Sequence, residues 1–218
     1  MKESDLFLPI KNYLLNTGCN HVFGEVLDCD VLALKGDLNI VVEMKTSLNF
    51  KVIEQAIARM PYGNYVYVAI PKPKNISQLA IKILKEHRIG LLLVDKYNKV
   101  ERYLPARFNR HAKRKKKIRE RIRPYHASEI GGVKSGEGQT DYSVMIDNIK
   151  EFLFQQRHVN QGWISVDDIL EHCDIYYKKP RPIVIATLQA DWNSNWCEAK
   201  TERRRKYFRI RPTKESKF

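Results

Sequence analysis

Two carboxylates and a lysine fall where a predicted β-hairpin brings them together. The turn is centred near residues 36–37, and antiparallel partners in that register have residue numbers that sum to 73 or 74, which sets Asp30 opposite Glu43 or Met44. Glu43 and Lys45 are two residues apart on one strand, so their side chains project from the same face. Because the surrounding strand residues are apolar, these charges are costly unless they pair or hold a metal ion.

This arrangement suits the hydrolysis of a phosphodiester bond. In such a reaction Mg²⁺ takes oxygen ligands from a few carboxylates and a backbone carbonyl, keeps several waters, and lowers the pKa of one of them. We expect Asp30 and Glu43 to be the ligands, with the carbonyl oxygen of Met44 as a third and Mn²⁺ as a substitute metal. Lys45 would orient the attacking water or neutralise the charge that develops on the phosphate.

Further polar residues join this candidate site or compete for it. Gln55, on the helix after the hairpin, would hydrogen-bond the water or a phosphate, and Glu3, on the first helix, would supply a further carboxylate. Asp28 shares a face with Asp30 and competes for the metal, although Asp30 fits the hairpin register better. Glu25 is either a second accessory acid or a solvent-facing strand residue. The alternative interpretation is an exposed cross-strand ion pair on a half-solvated hairpin.

The elements that position these residues predict an α/β sandwich. Helical and β-type spacing of apolar residues predicts helices near 4–16, 50–60 and 76–87, and strands at 21–26, 30–34, 40–45, 65–70 and 89–94. The order along the chain is therefore a helix, strands, a helix, a strand, a helix and a strand. That order predicts a mixed sheet with helices on both faces.

A basic segment follows this predicted domain. Residues 101–123 hold 11 of the 39 lysine and arginine residues but only 2 of the 25 acidic ones. Clustered lysine and arginine favour an acidic polymer as partner, because they displace condensed counterions from a phosphate backbone. Since the apolar pattern also lapses here, we predict a basic and glycine-rich linker over 106–140, between domains at 1–105 and 141–212. The residues expected to bind nucleic acid are Lys113, Arg114, Lys115, Lys116 and Lys117.

The C-terminal domain has the element order of a small winged helix-turn-helix. Apolar spacing predicts helices at 142–156 and 182–190, with a short helix between them that opens at a capping box beginning with Ser165. Two strands then enclose a basic tip formed by Arg203, Arg204 and Arg205. We expect these three arginines to contact phosphates. The domain is thus predicted to be a winged-helix-like α+β module that binds DNA.

Several short motifs resemble the PD-(D/E)XK nuclease superfamily, and more narrowly an uncharacterised bacterial family of PD-(D/E)XK phosphodiesterases. They are Glu3-Ser4-Asp5-Leu6 with Pro9 and Lys11-Asn12-Tyr13-Leu14, Gly24-Glu25-Val26, Cys29-Asp30-Val31, Val42-Glu43-Met44-Lys45, Asn49-Phe50 with Gln55, Arg59, and Tyr65-Val66-Tyr67-Val68-Ala69-Ile70-Pro71. The resemblance covers about residues 3–105. One departure is that Cys29 stands where the superfamily motif has a proline before the aspartate.

The resemblance implies a restriction-endonuclease-like fold for residues 3–105. It implies that Asp30 and Glu43 bind the metal and that Lys45 is the catalytic lysine. It further implies Glu3 as the accessory acid of the first helix and Gln55 as the polar residue of the helix after the hairpin. Related families differ in substrate, so the resemblance does not fix which nucleic acid is cut.

Composition excludes several other classes of protein. No apolar run approaches the roughly 18 to 20 residues that cross a bilayer, and the N-terminus does not begin like a signal peptide. The 4 cysteines have no CxxC spacing, which argues against a zinc site or a disulfide framework and favours a cytoplasmic protein. We therefore predict a Mg²⁺-dependent DNA endonuclease, dimeric if it cuts both strands of a duplex. The alternative is an inactive nuclease-fold protein that only binds DNA.

Overall fold

The computed structural model describes residues 1–132 and 139–212. The chain divides into two compact units, an N-terminal unit over Met1–Gly138 and a C-terminal unit over Gln139–Phe218. Among the described residues, no helix is both long and apolar enough to cross a membrane.

The N-terminal unit is built on a six-stranded mixed sheet with the strands in sequence order. The first three strands are antiparallel, the third, fourth and fifth are parallel, and the sixth is antiparallel to the fifth. Its elements are α1 (Phe7–Asn16), β1 (His21–Val26), β2 (Cys29–Lys35), β3 (Leu38–Met44), α2 (Phe50–Arg59), β4 (Tyr65–Pro71), α3 (Gln78–Glu86), β5 (Gly90–Val94), β6 (Val100–Leu104) and α4 (Lys115–Arg119).

Helices cover both faces of this sheet, as the sequence predicts. Helix α1 packs on one face with Val42 and Met44, whereas α2 and α3 pack on the other with Leu32 and Val41. The parallel strand pairs need crossover connections, which α2 and α3 supply. The mixed α/β class is therefore confirmed. Strand β6 was not predicted, because its residues are mostly exposed and lack the apolar run of a buried strand.

The register of the β2–β3 hairpin is the predicted one. Val31 pairs with Val42 and Lys35 with Leu38, so the paired residue numbers sum to 73. Asp30 therefore lies opposite Glu43, at the end of the hairpin away from the turn. The register follows from the short turn, because Lys35 pairs with Leu38 across a two-residue loop, and loop length and turn type fix the pairing in a hairpin.

The prediction of a linker over 106–140 differs from the structure, because residues 106–132 belong to the compact N-terminal unit. Ile118 on α4 is fully buried in the core beside α2 and α3. Arg119 donates to the Asn39 side chain at 2.6 Å and to the backbone oxygen of Gly36 at 2.8 Å. These contacts fix the basic segment on the sheet. Residues 133–138 of the predicted linker lie outside the described residues.

The C-terminal unit consists of three helices and a three-stranded sheet with the order β7-β9-β8. Its elements are α5 (Asp141–Gln155), β7 (Ile164–Ser165), α6 (Val166–His172), α7 (Pro180–Leu188), β8 (Cys197–Glu202) and β9 (Arg205–Ile210). The unit has its own apolar core, in which Phe208 of β9 is fully buried. Three helices followed by a hairpin is the predicted order, and Ser165 caps α6 by accepting from the amide of Asp168.

Candidate functional site

The two predicted metal ligands face each other on adjacent strands. Asp30 lies on β2 and Glu43 on β3, and both point to the face covered by α2, with Glu43 only 2% exposed. The backbone amide of Met44 donates to Asp30 Oδ2 at 2.6 Å. Met44 itself buries its side chain on the opposite face, beside α1. The structure therefore brings together the Asp30 carboxylate, the Glu43 carboxylate and the Met44 peptide.

Burial of these carboxylates shifts their protonation. Removal from water raises the pKa of Glu43 to about 8, with a further contribution from the negative charge of Asp30. Burial also raises the pKa of Asp30, against the opposing effects of the Met44 amide and of Lys45. Two like charges in a poorly hydrated site hold protons until a cation replaces them. Arg59 and Lys45 oppose both shifts, because positive charge beside the pair favours the ionised carboxylates.

Arg59 is the site residue to which sequence reasoning assigned no role. Helix α2 begins at the cap residue Asn49, whose side chain accepts from the amide of Val52. Arg59, in the last turn of α2, donates to Glu43 Oε1 at 3.0 Å and to the backbone oxygen of Asp28 at 2.5 Å. Its position four residues after Gln55 was the available signal, because residues at that spacing share a helix face.

Lys45 and Glu3 form the second ion pair of the site. Lys45 follows β3 directly, and its amide donates to the backbone oxygen of Ala69 on β4 at 3.0 Å, which fixes the backbone at the strand end. Lys45 Nζ lies 2.5 Å from Glu3 Oε2, with 22% of the lysine and 29% of the glutamate side chain exposed. Glu3 directly precedes a short 3-10 turn over Ser4–Leu6 that leads into α1. The predicted accessory acid therefore contacts the predicted catalytic lysine.

Gln55 carries an unsatisfied acceptor. Its Oε1 atom is buried and has no hydrogen-bond partner among the residues that the structure describes. An unpaired buried amide oxygen costs free energy, so its retention calls for a ligand, an ion or an ordered water. Gln55 is on the α2 face that carries Arg59, and Arg59 contacts Glu43. The predicted polar residue of α2 thus offers an oxygen on the same side of the sheet as the carboxylates.

Comparison with protein-family models, with curated proteins and with solved structures found no match for this chain.

The protein atoms at this site supply only some of the ligands that a hard divalent cation needs. Within residues 1–132 and 139–212, no group of three or more His, Cys, Asp or Glu side chains is arranged to hold a metal ion. Asp30 and Glu43 supply two carboxylates, and the buried Gln55 oxygen supplies an unpaired acceptor. Mg²⁺ keeps several waters and is commonly bound by one or two carboxylates plus substrate phosphates. Two carboxylates are therefore sufficient for Mg²⁺, and a structural zinc site would need more.

Asp28 is a poorer candidate ligand than Asp30. Its side chain is 87% exposed, at the turn between β1 and β2, and its carboxylate lies 3.9 Å from the Arg59 guanidinium. Asp30 is half-buried and faces Glu43 directly. The geometry supports the register argument that favoured Asp30.

The five basic residues predicted to bind nucleic acid lie on and just before α4. Lys113, Arg114, Lys116 and Lys117 are exposed, and Lys115 is half-buried. Asn39 at the start of β3 donates to the backbone oxygen of Lys115, so α4 is attached at one end of β3 and Glu43 lies near the other. Four strand residues span about 13 Å along β3. The basic helix is thus held at a set distance from the carboxylates.

The tip of the β8–β9 hairpin in the C-terminal unit has an unusual backbone. Glu202 pairs with Arg205, which leaves Arg203 and Arg204 as a two-residue turn between β8 and β9. Both arginines have positive φ, 47° and 64°. Two-residue hairpin turns with two positive φ values favour Asn-Gly, because a side chain in this conformation costs about 1–2 kcal/mol. All three predicted arginines are exposed at this tip.

Proposed function

We propose that this protein is a Mg²⁺-dependent nuclease that hydrolyses phosphodiester bonds of DNA. The observation that carries the proposal is the juxtaposition of Asp30 and Glu43 on paired strands, with Lys45 at the end of β3 and close enough to Asp30 to lower the pKa of its carboxyl group. Buried carboxylates with raised pKa values and a nearby lysine are characteristic of catalytic sites. The mixed sheet with helices on both faces is compatible with the restriction-endonuclease-like fold that the sequence motifs imply.

Each residue has a distinct role in the proposed reaction. Asp30 and Glu43 would hold Mg²⁺ with the Met44 carbonyl, and the bound ion would supply an activated water and a Lewis acid. Lys45 would place its ammonium against the phosphate oxygen on which negative charge develops. Gln55 would accept a hydrogen bond from the attacking water through its unpaired oxygen. Glu3 orients Lys45 through the 2.5 Å ion pair.

Two basic surfaces support DNA as the substrate. The exposed lysines and arginine of the α4 segment are fixed on the N-terminal unit, where they would bind the phosphate backbone. The C-terminal unit has the helix and strand order of a winged helix, and its tip presents three adjacent arginines. Phosphate contacts of this kind position a protein on a duplex without reading its sequence. We therefore assign the C-terminal unit to DNA docking.

The proposal is tested by incubating the purified full chain with plasmid, linear and branched DNA and with RNA. We expect cleavage of DNA with Mg²⁺ or Mn²⁺ and none with EDTA. Asp30→Ala should abolish cleavage and weaken Mg²⁺ binding measured by calorimetry, while DNA affinity in EDTA stays within about threefold, since Asp30 acts on the metal rather than on the DNA. Asp37→Ala, in the exposed hairpin turn, is the matched control.

Three results would contradict the proposal or its assignment of residues. Cleavage by Asp30→Ala at the wild-type rate would remove Asp30 from the site, and unchanged Mg²⁺ affinity would move the ligand role to Asp28. DNA binding by the wild-type chain with no cleavage of any substrate would favour the alternative of an inactive nuclease fold.

A further inference from the structure

Residues 129–132 form a backbone strap that lies on the β1–β2 hairpin. A Cβ atom built on Gly24 of β1 would come within 2.7 Å of the backbone oxygen of Glu129. One built on Gly131 would collide with the backbone oxygen of Asp30. Both distances are too short for a Cβ atom, so only glycine fits at these two positions. The strap is therefore in direct backbone contact with the strand that carries Asp30.

The end of the strap packs against Glu3. A Cβ built on Gly132 would lie 3.2 Å from the backbone carbon of Glu3 and 3.3 Å from its Cβ atom, and Gly132 has a φ of +76°. Glycine adopts this conformation without steric cost. The backbone of Gly132 thus packs directly against Glu3, and the Glu3 carboxylate contacts Lys45.

Glu25 fastens the strap to the hairpin. Its Oε1 atom accepts a hydrogen bond from the amide of Gly132 at 2.7 Å. Glu25 itself has a φ of +54°, although it lies in a strand and is not glycine. Such a conformation costs about 1–2 kcal/mol, and outliers of this kind cluster at functional sites. Just before the strap, Lys11 Nζ donates to the backbone oxygen of Ala127 at 3.1 Å, which attaches the chain to α1.

We propose that Glu25 and the strap are positioning elements of the candidate site. They hold Glu3 in place, and Glu3 holds the Lys45 ammonium at the end of β3, near Asp30. This inference rests on the proposed nuclease function for its catalytic consequence. It assigns a role to Gly131 and Gly132, which the sequence places in a linker, and to Glu25.

The test compares Glu25→Ala, which removes the acceptor for the Gly132 amide, with Glu25→Gln, which keeps one. Glu86→Ala on the exposed end of α3 is the control for loss of a carboxylate. We expect Glu25→Ala to lower the single-turnover rate at saturating DNA by at least about tenfold, since small displacements of catalytic groups have large effects on rate. DNA affinity should stay within about twofold, and Glu25→Gln should recover most of the rate.

Amide hydrogen exchange measures how firmly the strap holds the N-terminal residues, and it does not depend on enzymatic activity. Exchange in the first eight residues should accelerate in Glu25→Ala, because Glu3 loses its packing contact with Gly132. It should not accelerate in Glu25→Gln or Glu86→Ala. If Glu25→Ala does not fold, Gly132→Ala replaces it, since the added methyl would crowd Met44 at 3.1 Å and Glu3 at 3.2 and 3.3 Å.

The outcomes separate the two proposals. A wild-type rate in the folded variant, or unchanged exchange near Glu3, would overturn the positioning role. A wild-type chain that cleaves nothing would overturn the proposed function alone. In that case faster exchange in Glu25→Ala would still support the inference that the strap positions Glu3. Unchanged exchange would overturn that inference.

Discussion

The two units each contain a glutamate–arginine pair, and the pairs differ in their surroundings. In the N-terminal unit Glu43 is 2% exposed and accepts from Arg59 at 3.0 Å. In the C-terminal unit Glu198 is 27% exposed and accepts from Arg209 at 2.7 Å. Around the first pair a further carboxylate, Asp30, is close enough to raise the pKa of Glu43. Around the second pair the extra charge is positive, because Arg211 lies 3.8 Å from Glu198.

The two regions therefore differ in the sign of their excess charge, which is negative around Glu43 and positive around Glu198. The buried site holds the carboxylates of Glu3, Asp30 and Glu43 against two basic side chains, and under the proposed function a divalent cation supplies the remaining positive charge. The exposed sheet has an excess of arginine and lysine, so a polyanion is its natural complement. An exposed ion pair contributes little to stability, whereas a buried one that loses a partner leaves a costly charge. Matched substitutions in the two pairs therefore test the comparison.

The largest expected effect comes from the same isosteric change in each pair. Glu43→Gln keeps an oxygen for Arg59 but removes a metal ligand, and we expect the Mg²⁺-dependent cleavage rate to fall by at least about 100-fold. Glu198→Gln should leave the rate within about twofold. Single-turnover rates of both variants check this. Equal losses, or no loss in Glu43→Gln, would break the distinction between the two regions.

A smaller effect is expected from the basic residues of the α4 segment. Neutralising all five should weaken DNA affinity and reduce the slope of log K against log salt by up to about 4.5, since each phosphate contact contributes about 0.9. The measurement is a salt titration of DNA binding by fluorescence anisotropy. The neutralised residues are Lys113, Arg114, Lys115, Lys116 and Lys117. An unaltered slope would show that this surface only faces solvent.

Substitutions at the tip of the β8–β9 hairpin should raise the stability of the C-terminal unit and weaken DNA binding. Arg203→Asn with Arg204→Gly relieves two strained φ values, and we expect the free energy of unfolding of the C-terminal unit to rise by about 1 kcal/mol. The same change should reduce the salt slope of DNA binding by about 1.8. Denaturant titration and anisotropy measure the two effects. A more stable variant with wild-type DNA binding would exclude the tip from the interface.

The last expected effect is a pH dependence of stability in EDTA. The folded chain holds a proton on Glu43 up to about pH 8, whereas an unfolded glutamate releases it near its ordinary value. The folded state therefore binds more protons in this window, and the contribution of Glu43 to stability is lost as pH rises toward 8. Thermal unfolding should show a steeper loss for wild type than for Glu43→Gln. Parallel curves would contradict the raised pKa.

The sequence predicts those parts of the site that local rules determine. The position and length of the hairpin turn fix the register, so the convergence of Asp30 and Glu43 follows. The hydrogen bond between Arg59 and Glu43 could not be predicted in the same way. Helical spacing predicts which residues of α2 share a face, but not which strand residues that face contacts.

Long-range packing accounts for the rest of what the sequence did not predict. Ile118 lies within a run of basic residues, and only its burial shows that α4 is part of the N-terminal unit. The close approach of Gly131 to Asp30 joins residues that are far apart in the chain, so no local pattern reveals it. In the C-terminal unit the helices and hairpin were predicted, whereas β7 is too short to leave a pattern.

The central claim is that Lys45 acts on the scissile phosphate beside a metal held by Asp30 and Glu43. The most direct test is the single-turnover cleavage rate of Lys45→Ala on a preformed DNA complex with Mg²⁺, against Lys82→Ala on the exposed face of α3. The account predicts a loss of about 100- to 1,000-fold for Lys45→Ala, as for other donors to a developing oxyanion, with unchanged DNA affinity and thermal midpoint. Cleavage by Lys45→Ala at the wild-type rate would contradict it.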